Sequence, residues 1–112
     1  MSATRDDRAG LVFGALADST RRLLVRRLAS GGPATISALA EGLPISRQAT
    51  TKHLGVLAQA GLIVITPDGR ERHCAFAGGA LDDAVGWILE TGDGWDRRLD
   101  RLQRAAEATI PR

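Results

Sequence analysis

The chain opens with two stretches in which apolar residues recur at the spacing of an α-helix. The first runs from Ala9 to Leu16 and stops before Asp18. The second begins at Ser19, where Asp18 can act as the N-cap, and ends at Gly31-Gly32. The leucines of this second stretch fall on one side and its arginines mostly on the other, so it is predicted to form an amphipathic helix.

A third and a fourth helix are predicted with a very short connection between them. Thr35 can cap the third helix, and Pro44 ends it because proline lacks a backbone donor. Ser46 is well placed to cap the fourth helix, which Gly61 stops. Only a few residues separate the two helices, and the sequence therefore predicts a tight helix-turn-helix.

The fourth helix has an uneven distribution of polar side chains. Helical spacing turns Thr50, Leu54 and Leu57 toward the core. The opposite side, near the N-terminal end, carries Arg47, Gln48, Thr51, Lys52 and Gly55. A helix that enters the DNA major groove uses such an end, because arginine can read guanine and glutamine can read adenine. A solvated surface is the alternative interpretation, which this segment alone leaves open.

Residues 62–76 are predicted to form a β-hairpin. LIVIT is rich in β-branched residues, Pro67-Asp68-Gly69 is typical of a turn, and RERHCAF can form the returning strand. The hairpin carries Arg70 and Arg72, which can contact phosphates beside a groove. The predicted fold is therefore mainly α with a small β-hairpin, a winged helix-turn-helix of element order α-α-α-α-β-β-α.

Residues 80–106 are predicted to form a terminal helix with an apolar ridge. The ridge consists of Leu81, Val85, Ile88, Trp95, Leu99 and Leu102, with Trp87 beside it. A small winged helix cannot bury this much apolar surface, so we expect a second subunit to cover it in a symmetric homodimer. Residues 8–16 should pack alongside and contribute Leu11, Val12 and Phe13 to the dimer interface. The pattern leaves open whether the glycines of Gly92-Asp93-Gly94 break this helix.

Length and composition limit the class of protein. The 112 residues suit a single domain over 1–112, and the formal net charge is +2. Lys52 is the only lysine, so nearly all cationic side chains are arginines, whose planar fork suits phosphates and base edges. No apolar run approaches the roughly 18 residues of a membrane span. We therefore expect a cytoplasmic protein with no membrane partner.

Two residues have competing interpretations. The lone Cys74 excludes an intramolecular disulfide and is interpreted as a small buried apolar residue rather than a redox site. His53 can be a packed histidine, a phosphate donor or a metal ligand, in that order of preference.

Residues 10–105 resemble the ArsR-type winged-helix transcriptional repressors. The resemblance is carried by ALADSTRR, by the stretch S-x-Q-x-x-x-K-H-L-x-V-L-x-x-A-G-L-I, and by G-R-E-R in the hairpin. It implies a homodimer that binds an inverted-repeat operator in double-stranded DNA and blocks transcription, often of its own operon. The DNA contacts that it implies are Ser46, Arg47, Gln48, Thr51, Lys52 and His53 on the fourth helix, and Arg70 and Arg72 on the hairpin.

Several features separate the chain from the metal-sensing members of that family. The helix before the recognition helix has no cysteine, and the terminal helix has carboxylates but no histidine, which makes a poor site for zinc or nickel. We therefore expect no metal site and no cofactor, and the sequence does not identify an effector ligand. It also has no catalytic triad, phosphate-cradling loop or cofactor motif, so we do not expect an enzyme. The rival hypothesis is a winged helix that binds another protein instead of DNA.

Overall fold

Five α-helices and a small antiparallel sheet form the part of the chain, residues 4–109, that the computed structural model describes. The helices are α1 (Arg5–Leu16), α2 (Ser19–Gly31), α3 (Ile36–Glu41), α4 (Arg47–Gln59) and α5 (Leu81–Thr109). The strands are β1 (Ala34–Thr35), β2 (Ile63–Asp68) and β3 (Glu71–Phe76), and a 3₁₀ turn (Gly78–Ala80) leads into α5. The predicted winged helix-turn-helix is confirmed.

Side-chain caps begin the first four helices. The hydroxyl of Thr4, the carboxylate of Asp18, and the hydroxyls of Thr35 and Ser46 each accept a backbone N–H three residues later, at 3.0–3.1 Å. The predicted caps at Asp18, Thr35 and Ser46 are therefore present. Helix α1 begins earlier than its apolar stripe suggests, because Thr4 and Asp7 form a reciprocal capping box.

Helix α4 ends in a Schellman motif. Gly61 has a φ of +79°, its amide donates to the Ala58 carbonyl, and the Leu62 amide donates to the Leu57 carbonyl, both at 3.0 Å. Leu62 and Ile63 are then buried, so this glycine sets the direction in which the chain leaves α4 and enters the sheet. The turn thereby fixes where the β2–β3 hairpin lies relative to α4.

We expect Gly61→Ala to lower the free energy of unfolding by about 1–2 kcal/mol, because an L-residue is disfavoured at this positive φ. A Cβ at this position would meet only the Ala80 Cβ, at an ordinary 3.5 Å, so the loss should come from the backbone. Gly94→Ala is the matched control: Gly94 lies within α5 with open space around it, and alanine should stabilise that helix. Urea unfolding at one protein concentration measures both, and equal effects of the two substitutions would contradict the backbone argument.

The sheet has the strand order β1-β3-β2, with β3 in the centre. Strands β2 and β3 form the predicted hairpin, in which Asp68 pairs with Glu71 and Ile63 with Phe76. Strand β1 was not predicted, because two residues are too few to show an alternating pattern. Its pairing of Thr35 with His73 attaches the hairpin to the segment that caps α3.

The core lies between α1, α2, α3, α4 and the inner face of the sheet. It is filled mainly by leucines with Cys74, and its fully buried members include Leu24, Leu54, Leu57 and Leu62. Burial raises the pKa of the Cys74 thiol, which keeps it protonated at neutral pH. This agrees with the interpretation of Cys74 as a small apolar residue.

Helix α5 is continuous through Gly92 and Gly94, and its 29 residues span about 44 Å. Helix α1 lies along its first half, where Arg8 Nε donates to Asp83 Oδ2 at 2.9 Å and Arg5 pairs with Glu90 at 2.6 Å. The hydrogen bond from Arg8 lowers the pKa of the Asp83 carboxyl. Within residues 4–109, no helix is long and apolar enough to cross a membrane.

Candidate nucleic-acid interface

The N-terminal end of α4 is held in place by hydrogen bonds of its own first turn. The Ser46 hydroxyl accepts from the Ala49 amide at 3.0 Å, and the buried Thr50 hydroxyl donates to the Ser46 carbonyl at 3.0 Å. Thr50, Leu54 and Leu57 face the core, as their spacing predicted. The opposite side of the helix is therefore presented outward in a fixed orientation.

A groove of about 710 Å³ runs along this outward side. Helix α4 lines it with Ser46, Arg47, Gln48, Ala49, Thr51 and Lys52, while Ile36 comes from α3 and Arg72 from β3. The structure thus brings five of the predicted fourth-helix residues together with one hairpin arginine. Ile36 and Ala49 were not predicted as part of this surface, since neither carries a polar group that would mark it.

The polar side chains in the groove differ in whether they already make hydrogen bonds within the protein. Arg47, Gln48 and Lys52 are exposed, and no hydrogen bond or ion pair engages their side chains within the described residues. Thr51 is half-buried, and its hydroxyl already donates to the Arg47 carbonyl at 2.9 Å. Arg47, Gln48 and Lys52 are therefore available to an external ligand, whereas Thr51 can offer such a ligand only an acceptor and a methyl group.

The two hairpin arginines occupy different places. Arg72 lies on β3 opposite Pro67 and lines the groove. Arg70 follows Gly69 in the turn at the tip of the hairpin, where it is exposed and outside the groove lining. His73 Nε2 lies 3.3 Å from Asp68 Oδ2 and links the two strands near that turn, a contact that no sequence pattern indicated.

His53 lies on the flank of α4, outside the groove lining. It is half-buried, and its Nδ1 lies 3.3 Å from a guanidinium nitrogen of Arg21 on α2. This geometry corresponds to the packed histidine among its three interpretations. The DNA contact that the family resemblance implies for His53 stays a prediction, and in the single subunit the side chain faces Arg21 rather than the groove.

The apolar ridge of α5 is exposed along most of its length. Val85, Ile88, Trp95, Leu99 and Leu102 are 43–60% exposed, and Leu11 on α1 is 50% exposed. Val12 is 1% exposed in the core of its own subunit, so its inclusion in the predicted interface was wrong. Leu81 packs partly on that core. Phe13 is 38% exposed, and its ring meets Trp87 of the same subunit edge-on at 5.5 Å.

The remaining acidic and thiol groups do not converge. In residues 4–109 there is no group of three or more histidine, cysteine or carboxylate side chains that could hold a metal ion. Cys74 points into the core, while the neighbouring His73 is partly exposed on the other side of the strand.

Comparison with known proteins agrees with this geometry. Residues 16–66 match a family model described as a helix-turn-helix domain. The HTH-type transcriptional regulator Rv2034 of Mycobacterium tuberculosis is 50% identical over 58 residues, which cover 52% of this chain and 53% of that protein. The chain thus matches only about half the length of Rv2034. The transcriptional repressor SdpR of Bacillus subtilis is 33% identical over 78 residues, covering 70% of this chain and 86% of SdpR.

Solved structures extend the likeness to nearly the whole chain. An ArsR-like transcriptional regulator from Rhodococcus sp. RHA1 is 35% identical with a TM-score of 0.77, covering 88% of this chain and 92% of the other. A homodimeric winged helix-turn-helix DNA-binding domain from Mycobacterium bovis is 21% identical, with a TM-score of 0.61 over 89% of this chain and 93% of the other, and shares the fold. The chain belongs to the ArsR-type family of winged helix-turn-helix transcriptional regulators.

Proposed function

We propose that the protein is a dimeric repressor that binds an inverted-repeat operator, and that it acts by binding DNA rather than by catalysis. The observation that carries this proposal is the groove in which Arg47, Gln48 and Lys52 meet Arg72 of the hairpin. The repressor activity named for SdpR supports the sign of the regulation. An autorepressor, which represses its own operon, is one form of this function.

The groove residues divide into two proposed roles. Arg47 and Gln48 lie in the first turn of α4, where the end of a helix that enters the major groove reaches base edges, and both can form bidentate contacts there. Lys52 lies one turn further along, and Arg72 approaches from the hairpin, so both suit phosphates on either side of the reading end. Ser46 and Arg70 at the margins, and Thr51 through its free lone pair, would add weaker contacts.

A homodimer is proposed because α5 extends beyond the body of its own subunit. The radius of gyration is 19.9 Å, whereas a compact domain of this length has about 13 Å. Every described residue from Asp93 onward is exposed, including three large apolar side chains of the ridge. An isolated helix end of this kind is marginal in water, so a partner subunit is the natural cover. The homodimeric M. bovis domain of the same fold supports this arrangement.

In domain terms, residues 1–112 would form one winged-helix unit. Residues 80–106 would be its dimerisation helix, and residues 8–16 would pack alongside. The ridge proposed to meet the partner comprises Leu11, Val85, Ile88, Trp95, Leu99 and Leu102.

Binding to a labelled promoter fragment of the protein's own operon, at two salt concentrations, tests the function. A DNA-binding dimer should prefer this fragment over random DNA and lose affinity steeply with salt, because each neutralised phosphate releases counterions. A protein-interaction module, the rival function, would bind both DNAs equally weakly at both salt concentrations.

We expect Arg72→Ala to weaken binding to operator and random DNA alike and to lower the salt slope by about one for each phosphate contact removed. The matched control is Arg104→Ala, which removes the same charge from the distal end of α5, far from the groove. Titration by fluorescence anisotropy at several salt concentrations gives the slopes. A slope that Arg72→Ala leaves unchanged would exclude the hairpin from the interface.

A further inference from the structure

Arg21 joins three helices through one guanidinium. Its Nε donates to the Ala15 carbonyl at 2.6 Å, and a terminal nitrogen donates to the Gly14 carbonyl at 3.3 Å. These carbonyls belong to the last turn of α1, where the Gly14 carbonyl also accepts from the amide of the C-cap residue Ala17 at 3.3 Å. The other terminal nitrogen lies 3.3 Å from Nδ1 of His53 on α4.

The backbone of Arg21 is fixed as firmly as its side chain. Arg21 is the third residue of α2, and its amide donates to the Asp18 carboxylate that caps the helix, at 3.1 Å. This hydrogen bond lowers the pKa of the Asp18 carboxyl. The guanidinium also lies at the negative end of the α1 dipole, which favours a cation there. The start of α2 thus holds the Arg21 backbone, and the end of α1 orients its guanidinium.

The contact with His53 specifies the state of the imidazole. A guanidinium has donors and no acceptor, so Nδ1 must accept and the proton of the neutral ring must be on Nε2. A protonated ring would lose this acceptor and place two cations side by side. The bond therefore exists only with neutral His53.

Arg21 thus connects α1 with His53 on α4, and α1 in turn contacts α5, the helix proposed for dimerisation. Helix α1 is fastened to α5 by the Arg8–Asp83 and Arg5–Glu90 pairs and by the Phe13–Trp87 ring contact. A continuous set of contacts therefore runs from α5 through α1 and Arg21 to the middle of α4.

We propose that Arg21 is a positioning residue for operator recognition, which acts through His53 to set the angle of α4 relative to the paired α5 helices. This inference rests on the proposed function. Two recognition helices must enter successive major grooves together, so a small rotation of α4 would misplace Arg47 and Gln48 against their bases while leaving phosphate attraction intact. The loss should therefore appear as specificity rather than as overall affinity.

The role implies a pH dependence whose sign follows from the charges around His53. Among the described residues, the Arg21 guanidinium and the Asp18 carboxylate face the ring from the start of α2, and α1 presents backbone carbonyls to Arg21. Asp18 attracts a protonated ring, but only Arg21 makes a direct contact with Nδ1. Acidification should therefore break the connection and lower operator preference.

Three variants test the connection. Arg21→Lys keeps the charge but loses the fork, and His53→Leu removes the acceptor. His53→Asn places an amide oxygen near the position of Nδ1 and does not titrate. We expect Arg21→Lys and His53→Leu to lower the ratio of operator to random-DNA affinity about fivefold or more, with an unchanged salt slope. His53→Asn should retain the ratio of the wild type.

The pH series separates this role from a purely structural one. Between about pH 8 and pH 5.5, the range in which histidine side chains generally titrate, the ratio should fall more steeply for the wild type than for His53→Asn, which keeps every other titratable group of the wild type. Thermal unfolding and sedimentation of each variant verify that fold and assembly are retained.

NMR of the imidazole nitrogens in the DNA-free protein provides an independent measurement. The wild-type ring should carry its proton on Nε2, and a ring protonated on Nδ1 would overturn the connection whatever the DNA data show. The positioning role would also be overturned if the wild type prefers the operator and neither Arg21→Lys nor His53→Leu changes the ratio of operator to random-DNA affinity. A wild type without operator preference would instead refute the proposed function, and the positioning role with it.

Discussion

Trp95→Asp is expected to convert the protein into monomers that still bind DNA but no longer prefer the operator. Trp95 lies on the ridge of α5 and is 53% exposed in the single subunit. An aspartate there would be buried in the dimer without a partner charge, at a cost of at least about 3 kcal/mol. That cost corresponds to a dimer dissociation constant raised by more than about a hundredfold.

Specific binding should be lost because one recognition helix reads only a few base pairs. An inverted repeat is read by two helices held about 34 Å apart, one turn of DNA, and in the proposed dimer the α5 pair sets that distance. Separated subunits keep their groove arginines and hence their attraction to phosphates. They lose the gain that comes from engaging both half-sites at once.

Sedimentation velocity and operator titration on the same protein measure the two effects together. Leu99→Asp, one helical turn along the ridge, should behave like Trp95→Asp. Ala108→Asp is the matched control, because Ala108 is exposed on the side of α5 opposite Leu99 and receives the same added charge. A monomeric variant that binds the full operator as tightly as the wild type would overturn the dimer model, and an intact dimer would exclude this ridge from the interface.

The local features of the fold were predictable because they depend on residues close together in the sequence. Asp18, Thr35 and Ser46 each cap a helix by a hydrogen bond to a backbone amide three residues later, and Gly61 provides the positive φ that ends α4. The inward face of α4 was equally clear, since Thr50, Leu54 and Leu57 repeat over several turns.

The features that depend on tertiary packing were not predictable. Val12 lies between two apolar neighbours in α1, and only packing shows that it continues the buried spacing of Ala9 and Ala15. His53 lies at the margin of the polar face, where a difference of one residue decides whether a side chain meets the groove or α2. Arg21 looked like one of several surface arginines, because its partners are 6, 7 and 32 residues away.

The DNA contacts and the dimer interface remain predictions, and the structure changes their relative weight. Arg47, Gln48 and Lys52 become stronger candidates for direct DNA contacts, because their side chains are exposed and unengaged. Thr51 becomes a weaker candidate because its hydroxyl proton is already hydrogen-bonded. Whether Arg70 at the hairpin tip contacts DNA depends on how deeply the DNA sits between the β2–β3 hairpin and α4.

Arg47→Ala and Gln48→Ala are each expected to cost about 1–3 kcal/mol of discrimination between operator and mutated operator, if each makes a bidentate base contact. Both side chains leave the first turn of α4, which Ser46 and Thr50 hold in place, and both line the groove. Truncation should therefore remove a reading group without disturbing the helix, and alanine favours helix formation.

The two variants should differ from Lys52→Ala, which serves as the matched control within the same groove. Lysine one turn further along is proposed to contact phosphate, so its loss should weaken binding to all sequences alike and lower the salt slope by about one per contact. Arg47→Ala and Gln48→Ala should instead lose affinity mainly for the intact operator and accept base substitutions at one position in each half-site. Competition titrations with a panel of single-base operator variants measure this directly. Equal losses on operator and random DNA would show that Arg47 and Gln48 contact only phosphate, and base reading would then have to come from another part of the protein.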